Sequence, residues 1–355
     1  MTAPMHSLIL ASLTEPIVDF ATNVVGDLGL AGIFILMLLD HAEDNLFDIE
    51  RELIGERHFA ACESILADCK EPGRMRDVMQ RFGPDVVFHA AAYKHVSLTE
   101  ENPLEAVRNT AIGTRVCASA AAAAGVGRFM LVSTDKAVNP ATALGASKAM
   151  AEWIVEALGR RHSGTIFCSV RFGNVLGSSG SVVPLFRRQI ERGGPVTVTH
   201  PDMERYFMTI PESVQLVIRA ANMARGGETF VLEMGEQVKI IDLARNMIRL
   251  SGHEPEEIPI EIVGARPGEK LREELFGPGE RAVPTDADRI LRAERVQLEP
   301  EWVEEVFERV EGLVKRRDEA YLADALAELA REVFTAVGTA TEDRARKDVE
   351  ALAQQ

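Results

Sequence analysis

Short apolar runs that alternate with helical segments constrain the fold of this chain more than any other feature. Such runs cover residues 64–67, 85–89, 129–132 and 165–170. Four to six mostly apolar residues in a row are typical of strands that are buried on both faces of a parallel sheet. Helical segments separate these runs, so the pattern predicts an α/β fold with a doubly wound parallel sheet.

The segment that follows the run at 129–132 carries the residues with the clearest chemical potential. Residues 133–136, Ser-Thr-Asp-Lys, place two hydroxyls, a carboxyl and an amine in consecutive positions. Open α/β sheets bind their ligands at the carboxyl ends of the strands. The next helix sets Leu144 and Lys148 one turn apart on one face. These residues alone predict either a site at this strand end or a solvated loop after a core strand.

The composition argues against some partners and leaves an anionic small molecule open. The chain has 55 acidic and 39 basic residues, a formal net charge of −16, which argues against nonspecific binding to nucleic acid. A few local arginines could still hold a phosphate. The cysteines have no CxxC spacing and the histidines no paired spacing, so we predict no metal site and a reducing compartment.

The first 39 residues do not follow the alternating pattern. Residues 28–39 form an uncharged run of twelve, which is too short to span a bilayer as a helix. The start of the chain also lacks the basic region and cleavage site of a signal peptide. A core strand, a peripheral hydrophobic helix and the remnant of a membrane segment all stay open for this run.

The alternation of strands and helices ends at about residue 177, after which glycines separate short strand-like runs. We therefore predict a first domain over 40–194 and a smaller α/β substrate-binding domain with a helical tail over 195–334. Residues 302–314 and 321–333 carry apolar stripes at helical spacing, which are packing faces. The polar end, 335–355, is predicted to fray.

Several stretches together resemble one group of enzymes. They are 38–45, 85–96, 100–107, 132–140, 170–175, 180–184, 205–208 and 266–271. In order and spacing they are similar to the extended short-chain dehydrogenase/reductase superfamily, and within it to the capsule-type UDP-N-acetylglucosamine 4,6-dehydratases of polysaccharide biosynthesis. The resemblance covers roughly residues 38–334 and implies a Rossmann-like fold with NAD as cofactor and a UDP-sugar as substrate.

The resemblance also implies a reaction and the residues that carry it out. In these enzymes NAD accepts the hydride from C4 of the sugar, water is eliminated across C5 and C6, and the hydride returns to C6. By this resemblance Thr134 binds the C4 oxygen, Asp135 is the acid, Lys136 is the base and Lys148 holds the nicotinamide ribose. A neutral Lys136 requires a lowered pKa, through burial or a neighbouring cation such as Lys148.

Further residues receive binding roles by the same resemblance. Leu144 stands where most of the superfamily has a tyrosine, which fits the capsule-type dehydratases and argues against an epimerase or a simple dehydrogenase. The residues assigned to the cofactor are Asp40, Asp68, Ala90, Ala91 and Lys148, and those assigned to the UDP-sugar are Lys94, Arg171, Asn174, Ser181, Arg205, Arg266 and Glu269. We expect two of the three arginines to touch phosphate, and Glu269 either to contact the nucleotide or to brace its loop.

The front of the chain departs from this family. A Rossmann unit needs about 20 residues between its last loop glycine and the ribose-binding acid, but only eight separate Gly32 from Asp40. Residues 28–39 instead resemble the first hydrophobic segment of a DedA-type membrane protein. We therefore expect an N-terminally truncated unit that lacks its first strand, glycine loop and first helix. Residues 33–39 would form its second strand, and the central position beside it would be empty or filled by residues 5–25.

This departure leaves three functions open: a 4,6-dehydratase impaired in NAD binding, a UDP-sugar epimerase or reductase, and a catalytically silent UDP-sugar-binding protein. We expect a cytoplasmic protein. Attachment to the inner face of the membrane through residues 1–39 is left open. Family members commonly self-associate, so the resemblance also implies a homo-oligomer.

Overall fold

The fold is described from a computed structural model, which covers residues 6–11, 34–56, 58–178, 180–254 and 256–329. In chain order its strands are β1 (His6–Ala11), β2 (Phe34–Asp40), β3 (Cys62–Leu66), β4 (Val86–His89), β5 (Arg128–Val132), β6 (Ile166–Arg171), β7 (Asn174–Val175), β8 (Val196–Val198), β9 (Glu204–Arg205), β10 (Phe207–Met208), β11 (Glu228–Leu232), β12 (Val238–Lys239), β13 (Ile260–Ile262), β14 (Arg281–Pro284) and β15 (Ile290–Glu294).

Nine of these strands form one sheet within the described part of the chain. Its order is β3-β2-β1-β4-β5-β6-β11-β15-β14, and the first seven strands run parallel, whereas β15 runs antiparallel to both of its neighbours, β11 and β14. The order 3-2-1-4-5-6 is that of a doubly wound Rossmann sheet. The fold class predicted from the alternating pattern is therefore confirmed.

Helices cover both faces of this sheet. Those described are α1 (Glu43–Arg51), α2 (Pro72–Phe82), α3 (Val96–Glu101), α4 (Pro103–Val107), α5 (Gly113–Ala124), α6 (Ala143–Arg161), α7 (Val182–Glu191), α8 (Ile210–Met223), α9 (Ile240–Leu250) and α10 (Pro300–Arg316). Phe129 and Leu131 of β5 pack with α2, α5, α6 and α10, whereas Met130 packs with α1 and α8. The alternation of side chains along a strand thus supplies a core to each face, which is why residues 129–132 of β5 are all apolar.

The central position of the sheet is filled by β1. Its residues pair in parallel with β2 on one side and with β4 on the other, from His6 beside Phe34 to Ala11 beside His89. The run that ends at Asp40 forms the second strand, as expected. Of the two alternatives left open for the position beside it, empty or filled by residues 5–25, the structure shows the second, because residues 6–11 occupy it. Gly32, from which the distance to Asp40 was counted, lies outside the described residues. Within those residues, no helix is both long and apolar enough to cross a bilayer.

A smaller apolar cluster stands beside the main sheet. It joins α7, α9, β8 and β13 through residues such as Phe186, Val198 and Ile248. The predicted boundary at 194/195 does not separate two sheets, because β11, β14 and β15, which follow it in the chain, belong to the main sheet. Helix α10 also follows the boundary and packs against α6, which precedes it. The two predicted ranges therefore share one sheet, and the smaller cluster is an addition at its carboxyl edge.

Candidate active site

The carboxyl ends of β4, β5 and β6 border a cavity of about 620 Å³. The smaller cluster supplies another part of its wall through α7, β8 and the β9–β10 segment. Its volume lies within the range of small-molecule and cofactor sites. The residues predicted for the site that line it are Ala90, Lys94, Thr134, Lys136, Lys148, Asn174, Ser181, Arg205, Arg266 and Glu269, together with Leu144.

The turn after β5 forms the centre of this wall. It is a short 3₁₀ helix over Asp135–Ala137, and Thr134 is its N-terminal capping residue. The hydroxyl of Thr134 donates to Asp135 Oδ1 at 3.0 Å, and Lys136 Nζ donates to the same oxygen at 2.9 Å. One carboxylate oxygen therefore receives hydrogen bonds from both neighbours, each of which faces the cavity.

Lys136 is surrounded by more negative than positive charge. Besides Asp135, its Nζ lies 3.4 Å from Asn174 Oδ1 and 3.6 Å from Glu273 Oε1. Burial lowers the pKa of Lys136, and Arg205 lowers it further, but the carboxylates of Asp135 and Glu273 raise it and the net shift is upward. The expectation of a lowered pKa is therefore wrong for this state of the protein, in which Lys136 is an ammonium.

Asp135 lies behind Thr134 and Lys136 and does not itself line the cavity, because its side chain is fully buried. Its Oδ2 has no hydrogen-bond partner among the described residues. A side chain at Gly173, which does line the cavity, would place a Cβ 3.0 Å from this oxygen and 2.7 Å from Tyr206 Cβ. Glycine at 173 therefore leaves Asp135 Oδ2 close to the cavity wall.

Helix α6 packs tightly against the turn after β5, residues 134–137, hereafter the catalytic turn. A Cβ on Gly145 would lie 2.3 Å from the carbonyl oxygen of Lys136, so only glycine fits there. This close approach brings Leu144 and Lys148 to the cavity. Lys148 Nζ donates to the carbonyl of Val132 at 2.8 Å, and burial lowers its pKa to about 8, against the opposing influence of Glu152.

Arg171 is not part of the cavity wall. Its side chain is 2% exposed and forms ion pairs with Glu152 at 2.6 Å and with Glu280 at 2.7 Å. These two carboxylates raise its pKa even though burial lowers it. The guanidinium is fully engaged inside the protein, so the prediction that Arg171 contacts the substrate is wrong. It joins β6 to α6 and to the segment before β14.

The cavity is positively charged although the chain is acidic. Five basic side chains line it, and Glu269 is the acidic one among the residues of its wall. One Glu269 oxygen accepts from the backbone N–H of Arg266 at 3.0 Å, so Glu269 braces its own loop. The Ser181 hydroxyl, at the start of α7, is buried without a hydrogen-bond partner among the described residues. This wall suits an anionic, hydroxyl-bearing ligand.

The described residues fit the two ends of a bound NAD. Ala90 and Lys148 border the cavity at the ends of β4 and β5, where the nicotinamide end would lie, while the neighbouring Ala91 is buried outside it. Asp40 ends β2 and accepts from the N–H of Ala42 at 2.8 Å, and Asp68, which follows β3, pairs with Lys70. The loop after β1, which holds the pyrophosphate in this fold, falls within 12–33, outside the described residues.

Sequence reasoning missed Glu152 and Glu273. Glu152 lies on α6, accepts from Ser133 Oγ at 2.5 Å and pairs with Arg171. Glu273 follows the recognised stretch 266–271 by two residues and is 5% exposed. Burial is the signal that separates these glutamates from surface ones, and it emerges only from the fold. Among the described residues, no group of three or more His, Cys, Asp or Glu side chains could hold a metal ion.

Comparison with known proteins shows which family this fold and site belong to. The family described as "Polysaccharide biosynthesis protein" matches residues 23–295, and the chain belongs to it. The capsular polysaccharide biosynthesis protein CapD of Staphylococcus aureus is 52% identical over 248 residues, which are 69% of this chain and 41% of that protein. The chain thus spans about two fifths of the length of this curated relative.

Solved structures share the fold. Pen from Bacillus thuringiensis superposes with a TM-score of 0.72 at 31% identity, over 82% of this chain and 89% of that one. DesIV from Streptomyces venezuelae, a dTDP-glucose 4,6-dehydratase solved with NAD bound, has a TM-score of 0.66 at 19% identity and covers 76% of this chain and 88% of that one. At that identity the second likeness shows the fold alone.

Proposed function

We propose that this chain carries the catalytic site of an NAD-dependent UDP-N-acetylglucosamine 4,6-dehydratase of polysaccharide biosynthesis. The observation that carries the proposal is the contact between Asp135 and Lys136, 2.9 Å long, at the wall of a cationic cavity. Elimination of water needs an acid and a base close together, as these two side chains are. Transfer of a proton from Lys136 to Asp135 would give a neutral amine and a carboxylic acid.

The residues of the cavity wall would have distinct roles in the reaction. Thr134 would hydrogen-bond the C4 oxygen of the sugar, and Lys136 would remove the proton from C5 once C4 is a ketone. The proton for the departing C6 hydroxyl would come from Asp135. Because Asp135 is buried, that proton would pass through the hydroxyl of Thr134 or the amine of Lys136, the two cavity-lining groups that contact Oδ1. Arg205, Arg266 and Lys94 would hold the diphosphate.

NAD would supply the hydride acceptor for C4 and the hydride donor for C6 when bound. Lys148 would hold its ribose, and the carboxylates of Asp40 and Asp68 would flank its adenosine. A Rossmann unit needs about 20 residues between its last loop glycine and the ribose-binding acid, and only eight separate Gly32 from Asp40. We therefore expect NAD to bind weakly, and protein that retains NAD through purification would contradict this expectation.

The test is to incubate the protein with NAD and UDP-N-acetylglucosamine and to look for a 4-keto-6-deoxy product by mass spectrometry. The Lys136→Met variant keeps the aliphatic stem but has no amine, so we expect at least a hundredfold loss of product formation. The matched control is Lys315→Met, which removes an exposed lysine amine on α10, and it should retain wild-type activity. Thermal denaturation of both variants shows whether they are folded.

Other products would identify the alternatives. A C4 epimer without loss of water would favour a UDP-sugar epimerase, which Leu144 argues against because leucine cannot act as the base that a tyrosine provides. Binding of UDP-N-acetylglucosamine without turnover, at saturating NAD, would favour a catalytically silent binding protein. Either result would overturn the proposed dehydratase.

A further inference from the structure

Glu273 is a buried carboxylate beside the proposed base. Its Oε1 lies 3.6 Å from Lys136 Nζ and 3.8 Å from Arg205 Nε, and 5% of the residue is exposed. Burying a carboxylate is costly unless cations compensate it. Two acidic groups, Asp135 and Glu273, thus face two basic groups, Lys136 and Arg205, and the cluster of four is neutral.

The backbone of Glu273 is fixed on both sides. Its N–H donates to Gln237 Oε1 at 3.3 Å, and its carbonyl accepts from Gln237 Nε2 at 3.1 Å. The same segment is tied to the catalytic turn, because Lys270 Nζ donates to the carbonyl of Val138 at 2.9 Å. The carboxylate is therefore held beside Lys136 by the surrounding structure, as a preorganised group must be.

A second, smaller cavity of about 120 Å³ separates the role of Glu273 from that of a substrate ligand. Lys136 and Arg205 line both cavities, whereas Glu273 lines only the smaller one. That space is large enough for a few water molecules and far too small for a nucleotide sugar. Glu273 therefore reaches a bound substrate only through the two residues that line both cavities, Lys136 and Arg205.

We propose that Glu273 is a positioning residue for Lys136, which orients the amine and stabilises the ammonium that forms when the amine accepts a proton. The inference rests on the proposed dehydratase function. In the elimination the C5–H bond breaks and the proton forms a new N–H bond on Lys136. The released electron pair forms the C5–C6 double bond, and the C6 oxygen leaves with the proton of Asp135 as water. Positive charge thus develops on Lys136 in this step, next to the carboxylate of Glu273.

The charged groups that face Lys136 predict the direction of the effect. Asp135 lies on its own turn, Glu273 and the more distant Glu269 and Lys270 lie on the segment before β14, and Arg205 belongs to β9. The Glu273 carboxylate helps to raise the pKa of Lys136. Its neutralisation should therefore lower that pKa, because an opposite charge that favours the ammonium is removed.

The experiment compares Glu273→Gln with Glu274→Gln, which neutralises the exposed neighbour of Glu273. Lys136 is titrated in each folded protein by competitive acetylation with trace acetic anhydride and peptide mass spectrometry. We expect the Lys136 titration to move to lower pH in Glu273→Gln and to stay unchanged in Glu274→Gln. In the dehydratase assay, kcat of Glu273→Gln should fall more than tenfold with little change in KM. The acidic limb of its pH profile should move to lower pH, and Glu273→Asp should restore part of the rate.

The outcomes distinguish this inference from the proposed function. A folded Glu273→Gln protein whose Lys136 titrates as in the wild type would overturn the inference, whatever its activity. A wild-type protein that forms no 4-keto product would overturn the proposed function, while a shifted Lys136 titration in the same preparation would still support the coupling of Glu273 to Lys136. If Glu273→Gln does not fold, Glu273→Asp tests the same coupling. The shorter aspartate side chain leaves its carboxylate farther from Lys136, so the pKa of Lys136 should fall by less than in Glu273→Gln. An unchanged Lys136 titration in Glu273→Asp would overturn the inference.

Discussion

Arg171 shows how a single buried residue can connect three parts of the chain. Its guanidinium lies between Glu152 and Glu280, and each of these side chains is 2% exposed. Removing one partner of a buried ion pair leaves the other charge uncompensated, which typically costs about 3–5 kcal/mol. We therefore predict that Arg171→Met lowers the free energy of unfolding by about that amount, measured by urea denaturation.

The matched control is Arg281→Met in β14, the edge strand of the same sheet. Arg281 pairs with Glu294 at the surface, where its side chain is 74% exposed. Exposed pairs contribute about 1 kcal/mol or less, so this variant should unfold close to the wild type. Equal losses in the two variants would contradict the view that burial makes the Arg171 pairs important.

The buried imidazole of His89 makes the free energy of unfolding depend on pH. Its Nε2 donates to Thr114 Oγ1 at 3.0 Å, because that hydroxyl donates in turn to the carbonyl of Thr110. Burial, and then the charge of Lys148, lowers its pKa from 6.5 to about 3. The unfolded chain therefore binds a proton between these pH values that the folded protein does not, and stability falls as the pH drops from 6.5 toward 3.

The measurement is urea denaturation at about pH 7 and about pH 5. Of the stability lost by the wild type, His89 should account for about 2 kcal/mol, because each pH unit below 6.5 contributes about 1.4 kcal/mol. His89→Gln, which can still donate to Thr114, should lose that much less. The exposed His253→Gln is the control and should behave as the wild type. If His89→Gln has the wild-type pH dependence, His89 is not buried as a neutral imidazole.

The sequence predicted which residues meet at the cavity better than it predicted their charges. Thr134 and Lys136 follow a strand end directly, a position that left a site or a solvated loop open, and the family resemblance favoured the site. The pKa of Lys136 was predicted in the wrong direction because Asp135 pairs with it directly and Glu273 adds a second carboxylate from a distant segment. Arg171 was misassigned for a similar reason, since a residue at a strand end can turn inward when buried carboxylates from other elements receive it.

At the scale of elements, the approach of α6 to the turn after β5 sets the geometry of the site. A Cβ on Gly145 would meet the carbonyl oxygen of Lys136 at 2.3 Å and Pro140 Cβ at 3.1 Å. We predict that Gly145→Ala pushes the first turn of α6 away from the catalytic turn and lowers kcat by more than tenfold in the dehydratase assay. Misplacement of catalytic groups by about 1 Å can cost a hundredfold in rate.

Gly73→Ala provides the control for this helix. Gly73 also lies in the first turn of a helix, α2, but a Cβ there meets no atom within 4 Å. Alanine should be neutral or stabilising by up to about 1 kcal/mol at that position. Wild-type activity in Gly145→Ala would show that α6 can shift without disturbing Lys136, and would contradict the tight packing described above.

The strands were predictable wherever both faces of the sheet are covered. The runs at 85–89, 129–132 and 165–170 form β4, β5 and β6, and each strand end lies within one residue of the end of its run. A continuous apolar run of this length is typical of a strand that is buried on both faces. Residues 6–11 were only part of a wider range suggested for the central position. A six-residue run at the start of a chain carries no periodicity that separates a central strand from a peripheral one.

At the scale of the whole molecule, β1 connects the two parts of the sheet. On one side of it lie β2 and β3, which carry Asp40 at the proposed cofactor site, and on the other lie β4, β5 and β6, which carry the catalytic turn. Its backbone pairs with both neighbours over the full length of β4. The relative position of the two proposed ends of the NAD site therefore depends on β1.

This arrangement predicts a large effect of proline in β1. Proline has no N–H to donate and is found in sheets almost only at edges, so Ile9→Pro should break the pairing of β1 and lower the melting temperature by several degrees. NAD binding should weaken with it, because β2 and β4 would no longer be held in register. The control is Val283→Pro in β14, which lies at the edge of the sheet, pairs only with β15 and already ends in Pro284. Because only one ladder is affected there, the melting temperature should fall less, and equal losses in the two variants would show that β1 does not hold the centre of the sheet.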